Sequence, residues 1–194
     1  MTINTWEGDV YPSSRCVFLT QEHFLKGCNV NCENLYKDII RIPVNSYHLN
    51  RTTLLLLEIL KAYDINKNIE LLNLAEKLAQ WVADNQPEDK DNSSIFNLIQ
   101  IRKRKRKGVI DEHDKFLILE ILSSGCKEQY KAAGYILLDM PEKAKEVIEQ
   151  MDEEERNTFQ NFPIYNLLDK KSFSSKDSLH QNYKKDIEEL EKNS

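Results

Sequence analysis

The chain of 194 residues is long enough for one sizeable core, or a core with a small appendage, and its 30% charged residues leave a net charge of −5. That balance argues against non-specific attraction to nucleic acid as the default, and five Gly with five Pro favour long helices over an all-β fold. The most apolar run, LLLLEIL, contains Glu58 and falls far short of the roughly 18 residues a membrane helix requires. The opening MTINTWEGDVYP has neither the basic start nor the apolar core of a secretory signal. The cytoplasm is therefore the expected compartment, with Cys16, Cys28, Cys32 and Cys126 as reduced thiols.

Residues 1–19 hold Trp6, Tyr11, Val17, Phe18 and Leu19 without a sustained period, which reads as an irregular leader that docks its aromatics on a helical body. A short helix is expected after Thr20, ending at Gly27, and another from about Cys32 that Pro43 terminates. Asn50 is the expected cap of a strongly apolar helix, RTTLLLLEILKAYD. After DINKN, the segment IELLNLAEKLAQWVADN brings Leu71, Leu74, Ala75, Leu78 and Val82 into helical register. Trp81 on this helix is a candidate contact for a ligand. The charged, Pro-containing stretch QPEDKDNSS reads as an exposed connector.

Beyond it, SSIFNLIQIRKRKRK predicts a helix stopping at Gly108, and Asp111 is placed to cap EHDKFLILEILSS, which ends near Gly125. The stretch 125–168 predicts helix, sharp turn and helix. Tyr130, Ala133, Gly134, Leu137 and Leu138 form one apolar stripe, and Ala144, Val147, Ile148 and Met151 a second. In the DMPE turn, Asp139 with Glu142 has the spacing of a capping box, and Pro141 suits a first helical turn. Asp152 with Glu155 repeats the pattern, and FPIYNLL predicts a short helix from Pro163. KKSFSSKDS reads as a joint, followed by a narrow-striped final helix through Leu179, Tyr183, Ile187 and Leu190. Such a stripe either docks on the body or pairs with another chain.

Tyr135 precedes Ala144 by nine residues, as an aromatic in the first helix of a tetratricopeptide repeat precedes the small alanine in the second. The hairpin resembles that family, although Glu128, Lys131 and Ala132 stand where the family prefers Trp, Leu and Gly, and Asp139 where it prefers Gly. The resemblance implies an irregular, all-α solenoid of stacked antiparallel hairpins whose concave face holds a peptide or partner helix. The expected organisation is a leader with two short helices over 1–49, a hairpin body over 50–170, and a joint with an amphipathic helix over 171–194.

The basic run Arg102 to Lys107 is the strongest charge signal. It can engage phosphates, or its cations can answer the helix macrodipole and the acidic stretches EDKD and DEHD. No aromatic interleaves it to stack bases. Six residues separate Arg106 from His113, a spacing similar to the Arg-to-His motif of the HEPN ribonucleases. That resemblance implies a proton-transferring His and a charge-stabilising Arg. Cys28 and Cys32 have the spacing of half a zinc knuckle that Cys16, His23 and His48 could complete, against the simpler reading of small buried groups.

The leading expectation is a non-catalytic adaptor of a cytoplasmic, bacterial-style system, with no cofactor or metal, whose contacts are Trp81, Arg102, Arg104, Arg106, Tyr130 and Tyr135. The alternative is a nucleic-acid-binding protein or HEPN-like ribonuclease using the basic ridge and His113. Oligomerisation is expected, if anywhere, through the C-terminal helix.

Overall fold

The computed structural model describes residues 21–25, 31–86 and 92–168. The leader, Cys16, Cys28, the centre of the QPEDKDNSS connector, the joint and the C-terminal helix lie outside the described residues. Among those described there are nine α-helices, one 3-10 turn and no strand, so the FLILEIL run is helical. No described helix is long and apolar enough to cross a membrane. The chain divides into two compact units between Gln86 and Pro87.

In the first unit, α1 is Gln21–Leu25, α2 Cys32–Ile40, α3 Ser46–Asn66 and α4 Ile69–Asn85. Helix α3 begins earlier than the sequence suggests. Asn45, in extended conformation, accepts the His48 N–H at 2.9 Å, whereas Asn50 lies inside the helix. Two threonines sit in the next turns without disrupting it, because Thr52 and Thr53 donate their hydroxyls to the carbonyls of His48 and Leu49. The α3/α4 connection is only two residues long. Lys67 adopts φ 57° and donates its N–H to the Tyr63 carbonyl, and Asn68 then caps α4 by accepting the Glu70 N–H at 3.0 Å. So short a reversal folds the two helices into an antiparallel hairpin, with Leu55, Leu56, Ile59 and Leu60 of α3 and Leu71, Leu72, Ala75 and Leu78 of α4 buried. Helix α1 packs on α3 and α2 on α4.

The second unit contains α5 Ser93–Lys105, α6 Glu112–Ser123, α7 Glu128–Leu137, α8 Pro141–Gln150, α9 Glu153–Gln160 and a 3-10 turn at Tyr165–Leu167. Its core joins Phe96 and Ile99 of α5, Ile118 and Ile121 of α6, Ala133 and Leu137 of α7, Ala144 and Ile148 of α8, and Phe159. Two helices approach closely at Gly134, where an added Cβ would stand 3.1 Å from Leu122 Cδ2 and 3.2 Å from Ile118 Cγ2. That glycine lets α6 and α7 touch.

Three local expectations are corrected. Helix α5 stops at Lys105 rather than running to Lys107, because Lys107 (φ 54°) and Gly108 (φ 99°) wind back so that their N–H groups meet the carbonyls of Arg104 and Lys103. Asp139 does not cap α8. It has φ 57°, and its N–H and that of Met140 donate to the carbonyls of Ile136 and Tyr135, so it closes the end of α7, while Met140 occupies the cap position before Pro141. The segment after Pro163 forms only the 3-10 turn. Asp111 and Asp152 do cap α6 and α9, each accepting an N–H three residues on at 2.8 Å.

Candidate functional site

The basic run is wound around the end of α5. At 100° per residue, consecutive cations point in every direction, and a helix with neighbours on more than one side must turn some of them inward. Lys103 and Arg104 are buried, so the expected ridge is not a continuous exposed surface. Lys103 Nζ donates to the Leu137 carbonyl at 2.6 Å and to Asp139 Oδ1 at 2.7 Å, fastening α5 to the α7/α8 turn. Burial pushes the Lys103 ammonium below its ordinary pKa, and the Asp139 carboxylate acts in the opposite direction without cancelling that effect. Arg104 donates to Gln100 Oε1 at 3.0 Å and to the Pro163 carbonyl at 2.8 Å, and so ties α5 to the segment before the 3-10 turn.

Arg102 and Arg106 converge on one carboxylate. Asp114 is buried, and its Oδ1 accepts from Arg102 at 2.7 Å while Oδ2 accepts from Arg106 at 3.1 Å. Arg106 also lies 2.8 Å from Asp111 Oδ2. The Asp114 N–H, with help from Arg106, holds the Asp111 carboxyl below its ordinary pKa. These pairings hold the end of α5 against the start of α6, where acidic groups also suit the helix N-terminus.

His113, in the first turn of α6, is exposed, as are Arg106 and Lys107. Arg106 and His113 thus stand on either side of a loop, with the arginine already engaged by two aspartates. Tyr130 is half-buried and stacks on Phe96, with ring centroids 5.7 Å apart and planes 7° from parallel. Tyr135 is half-buried on α7, with the Lys143 ammonium of α8 5.7 Å from its ring centre. Trp81 belongs to the first unit, where it is half-buried with its ring centroid 5.2 Å from that of the buried His48 and the planes 67° apart; His48 Nε2 in turn lies 3.1 Å from the Ile39 carbonyl.

Of the candidate zinc ligands, Cys16 and Cys28 lie outside the described residues, and Cys32 is half-buried, as is Cys126. Burial and the charge of Glu70 push Cys32 above its ordinary pKa, and burial does the same to Cys126. Among the described residues no group of three or more His, Cys, Asp or Glu side chains could hold a metal.

Residue types alone did not mark two exposed side chains, Val109 and Phe116, which are 64% and 63% exposed around the start of α6. Phe116 reads from the sequence as part of the buried FLILEIL run. Its face becomes visible only once the α6 register is fixed by Asp111, because Asp114, Ile118 and Ile121 are then the buried positions.

The described residues form packed helices without strands, with a basic helix end fastened into the second unit. No family model matches the chain, and neither a curated protein nor a solved structure matches it.

Proposed function

We propose that the chain is a non-catalytic interaction module, an adaptor that holds a peptide or partner helix against packed helical hairpins of tetratricopeptide-like kind. The observation that carries this reading is the exposure of Phe116 on α6 and of Val109 in the loop before that helix, large apolar side chains left in solvent. Arg106 is close to them in sequence and its side chain is 41% exposed, giving the aromatic-and-arginine composition that dominates binding surfaces. Tyr135, ordered by Lys143, is a further contact. Trp81 is the corresponding candidate in the first unit.

Selection of displayed peptides against the purified full chain tests the reading. A selected peptide should bind about tenfold more weakly to Phe116→Ala or Tyr135→Ala protein whose melting is unchanged. Failure to select any peptide, or binding indifferent to both substitutions, would sink it.

The competing reading is phosphate recognition at Arg106, Lys107 and His113, favoured by the exposure of all three. It requires Arg106 to exchange Asp111 and Asp114 for a phosphate. Titration with single-stranded RNA at low salt decides it. Steep, salt-sensitive binding lost on reversal of Arg106 and Lys107 would establish this reading, and no binding at about 50 mM salt would remove it.

A further inference from the structure

One face of α3, exposed at Tyr47, Leu54 and Ile65 and met at Glu58 by the Gln21 N–H of α1, is self-complementary. At 3.6 residues per turn, Tyr47, Arg51, Leu54, Glu58, Lys61 and Ile65 fall within about 40° of a single line along the helix. Tyr47, Leu54 and Ile65 are 59%, 54% and 62% exposed, and Val44, just before the helix, is 47% exposed. Isolated apolar residues on a surface need no partner, but the order of these residues does invite explanation. A two-fold axis at Leu54, with a second α3 running antiparallel, lays Leu54 on its own copy. It sets Tyr47 level with the partner's Lys61 and Arg51 within one residue's rise, about 1.5 Å, of the partner's Glu58, and it brings Val44, just before the helix, towards the partner's Ile65. Every pairing but the central one occurs twice, as an isologous interface demands.

The charges choose the direction. A parallel pairing would put Arg51 on Arg51 and Glu58 on Glu58, and like charges so placed are repulsive. The antiparallel arrangement puts each cation opposite a carboxylate or an aromatic face. The groups concerned are also held in place beforehand. The Glu58 carboxylate accepts the Gln21 N–H at 2.9 Å and the Lys61 ammonium at 2.8 Å, and the Arg51 guanidinium rests 5.1 Å from the centre of the Tyr47 ring. Ordering such groups in advance lowers what association must spend on them. Helix α3 has 21 residues, about 31 Å of continuous face.

We propose that this face is a docking surface for a second copy of the chain, and that the protein forms an antiparallel dimer through α3 with reciprocal Arg51–Glu58 pairs. The inference is independent of any peptide held elsewhere. It also differs from association through the C-terminal helix, which the Leu54 substitution below would leave intact.

The test is sedimentation of the full chain over a concentration series, on variants whose circular dichroism and melting match the parent. The parent should be a dimer. Leu54→Asp, Arg51→Glu and Glu58→Arg should each weaken self-association about tenfold or more. Mixing the Arg51→Glu protein with the Glu58→Arg protein should restore the dimer, because in the mixed pair every charge again meets its opposite. If Glu58→Arg fails to fold, Glu58→Gln, which keeps one oxygen as an acceptor, replaces it as the weakening variant, and the restoring arm is its mixture with Arg51→Glu, a pair with one attraction and no repulsion that should associate more tightly than Arg51→Glu alone. A monomeric parent, a dimer indifferent to Leu54→Asp, or an Arg51→Glu protein whose association is not strengthened by mixing with its Glu58 counterpart would each overturn the proposal.

Discussion

The pair Lys103–Asp139 should respond unequally to the loss of its two members. The Lys103 side chain is 5% exposed and that of Asp139 45%, so removing either leaves a survivor in a different environment. Lys103→Met removes a charge that burial disfavours, leaves Asp139 to water, and deprives the Leu137 carbonyl of its Nζ donor. That should cost about 1–3 kcal/mol, the usual penalty for a buried acceptor losing its partner. Asp139→Ala instead leaves an ammonium buried with only a carbonyl, for which about 3–5 kcal/mol is expected. It also places alanine at φ 57°, adding about 1–2 kcal/mol. Asp139→Asn keeps an acceptor and tolerates the left-handed backbone, so the difference between the two Asp139 variants isolates the backbone and hydrogen-bond contribution from the charge.

Urea unfolding followed by circular dichroism measures all three, and its pH dependence gives a second test. The folded pKa of Lys103 lies below its ordinary 10.5. Between the folded value and 10.5 the unfolded chain binds the proton more tightly, so this residue makes stability rise with pH across that window. Removing Asp139 lowers the folded value further and widens the window downward. The Asp139→Ala deficit should therefore shrink as pH rises from 7 towards 10, which in Lys103→Met has no counterpart at this site. A Lys103→Met cost equal to or above that of Asp139→Ala, or a pH-independent deficit, would refute the reasoning.

Arg156 donates to the carbonyls of Ile148, Glu149 and Met151 at 3.2, 3.0 and 2.8 Å, so Arg156→Ala should lower stability by about 1–3 kcal/mol in the same urea assay, against near neutrality for Lys145→Ala on the exposed face of α8. Gly134→Val should cost about 1–3 kcal/mol through overpacking between α6 and α7, measured as a lowered melting temperature. Burial opposes ionisation of Glu58, but hydrogen bonds from Lys61 and from the Gln21 N–H outweigh it and hold the carboxyl below its ordinary 4.5. Its contribution is present above pH 4.5 and is lost as pH falls through the folded value, so hydrogen exchange at α1 should accelerate there in the parent more than in Glu58→Gln.

The all-helical class and several helix limits were legible in the sequence where cap and apolar period agreed. Helix α4 begins after Asn68 and carries its apolar positions at steady spacing, and its observed limits are those of the IELLNLAEKLAQWVADN segment. Helix α3 was harder, because its first turn, SYHLN, is polar and shows no period. Only the side-chain bond of Asn45 reveals where it starts. The DMPE turn was misread for a geometric reason. Three residues between α7 and α8 must end one helix and begin the other, and a D-x-x-E spacing does not say which end the aspartate serves. The aspartate's left-handed backbone and its link to Lys103, 36 positions away, decide it.

A related consideration bears on the basic run, whose charge alone does not say which of its cations are buried. A helix C-terminus leaves carbonyls without intrahelical donors, and a chain with five glycines has few of the usual terminating residues. Long cations from neighbouring segments can take over part of that role. Lys103 meets the last carbonyl of α7, and Arg156 meets three carbonyls around the end of α8. Arg104, on the Pro163 carbonyl, makes a related bond in an irregular segment. A run of cations at a helix end in a glycine-poor, all-helical chain therefore divides by direction. Lys103 and Arg104, facing neighbouring segments, fasten backbone carbonyls, Arg102 and Arg106 close on the Asp114 carboxylate, and Arg106 and Lys107 are the exposed members.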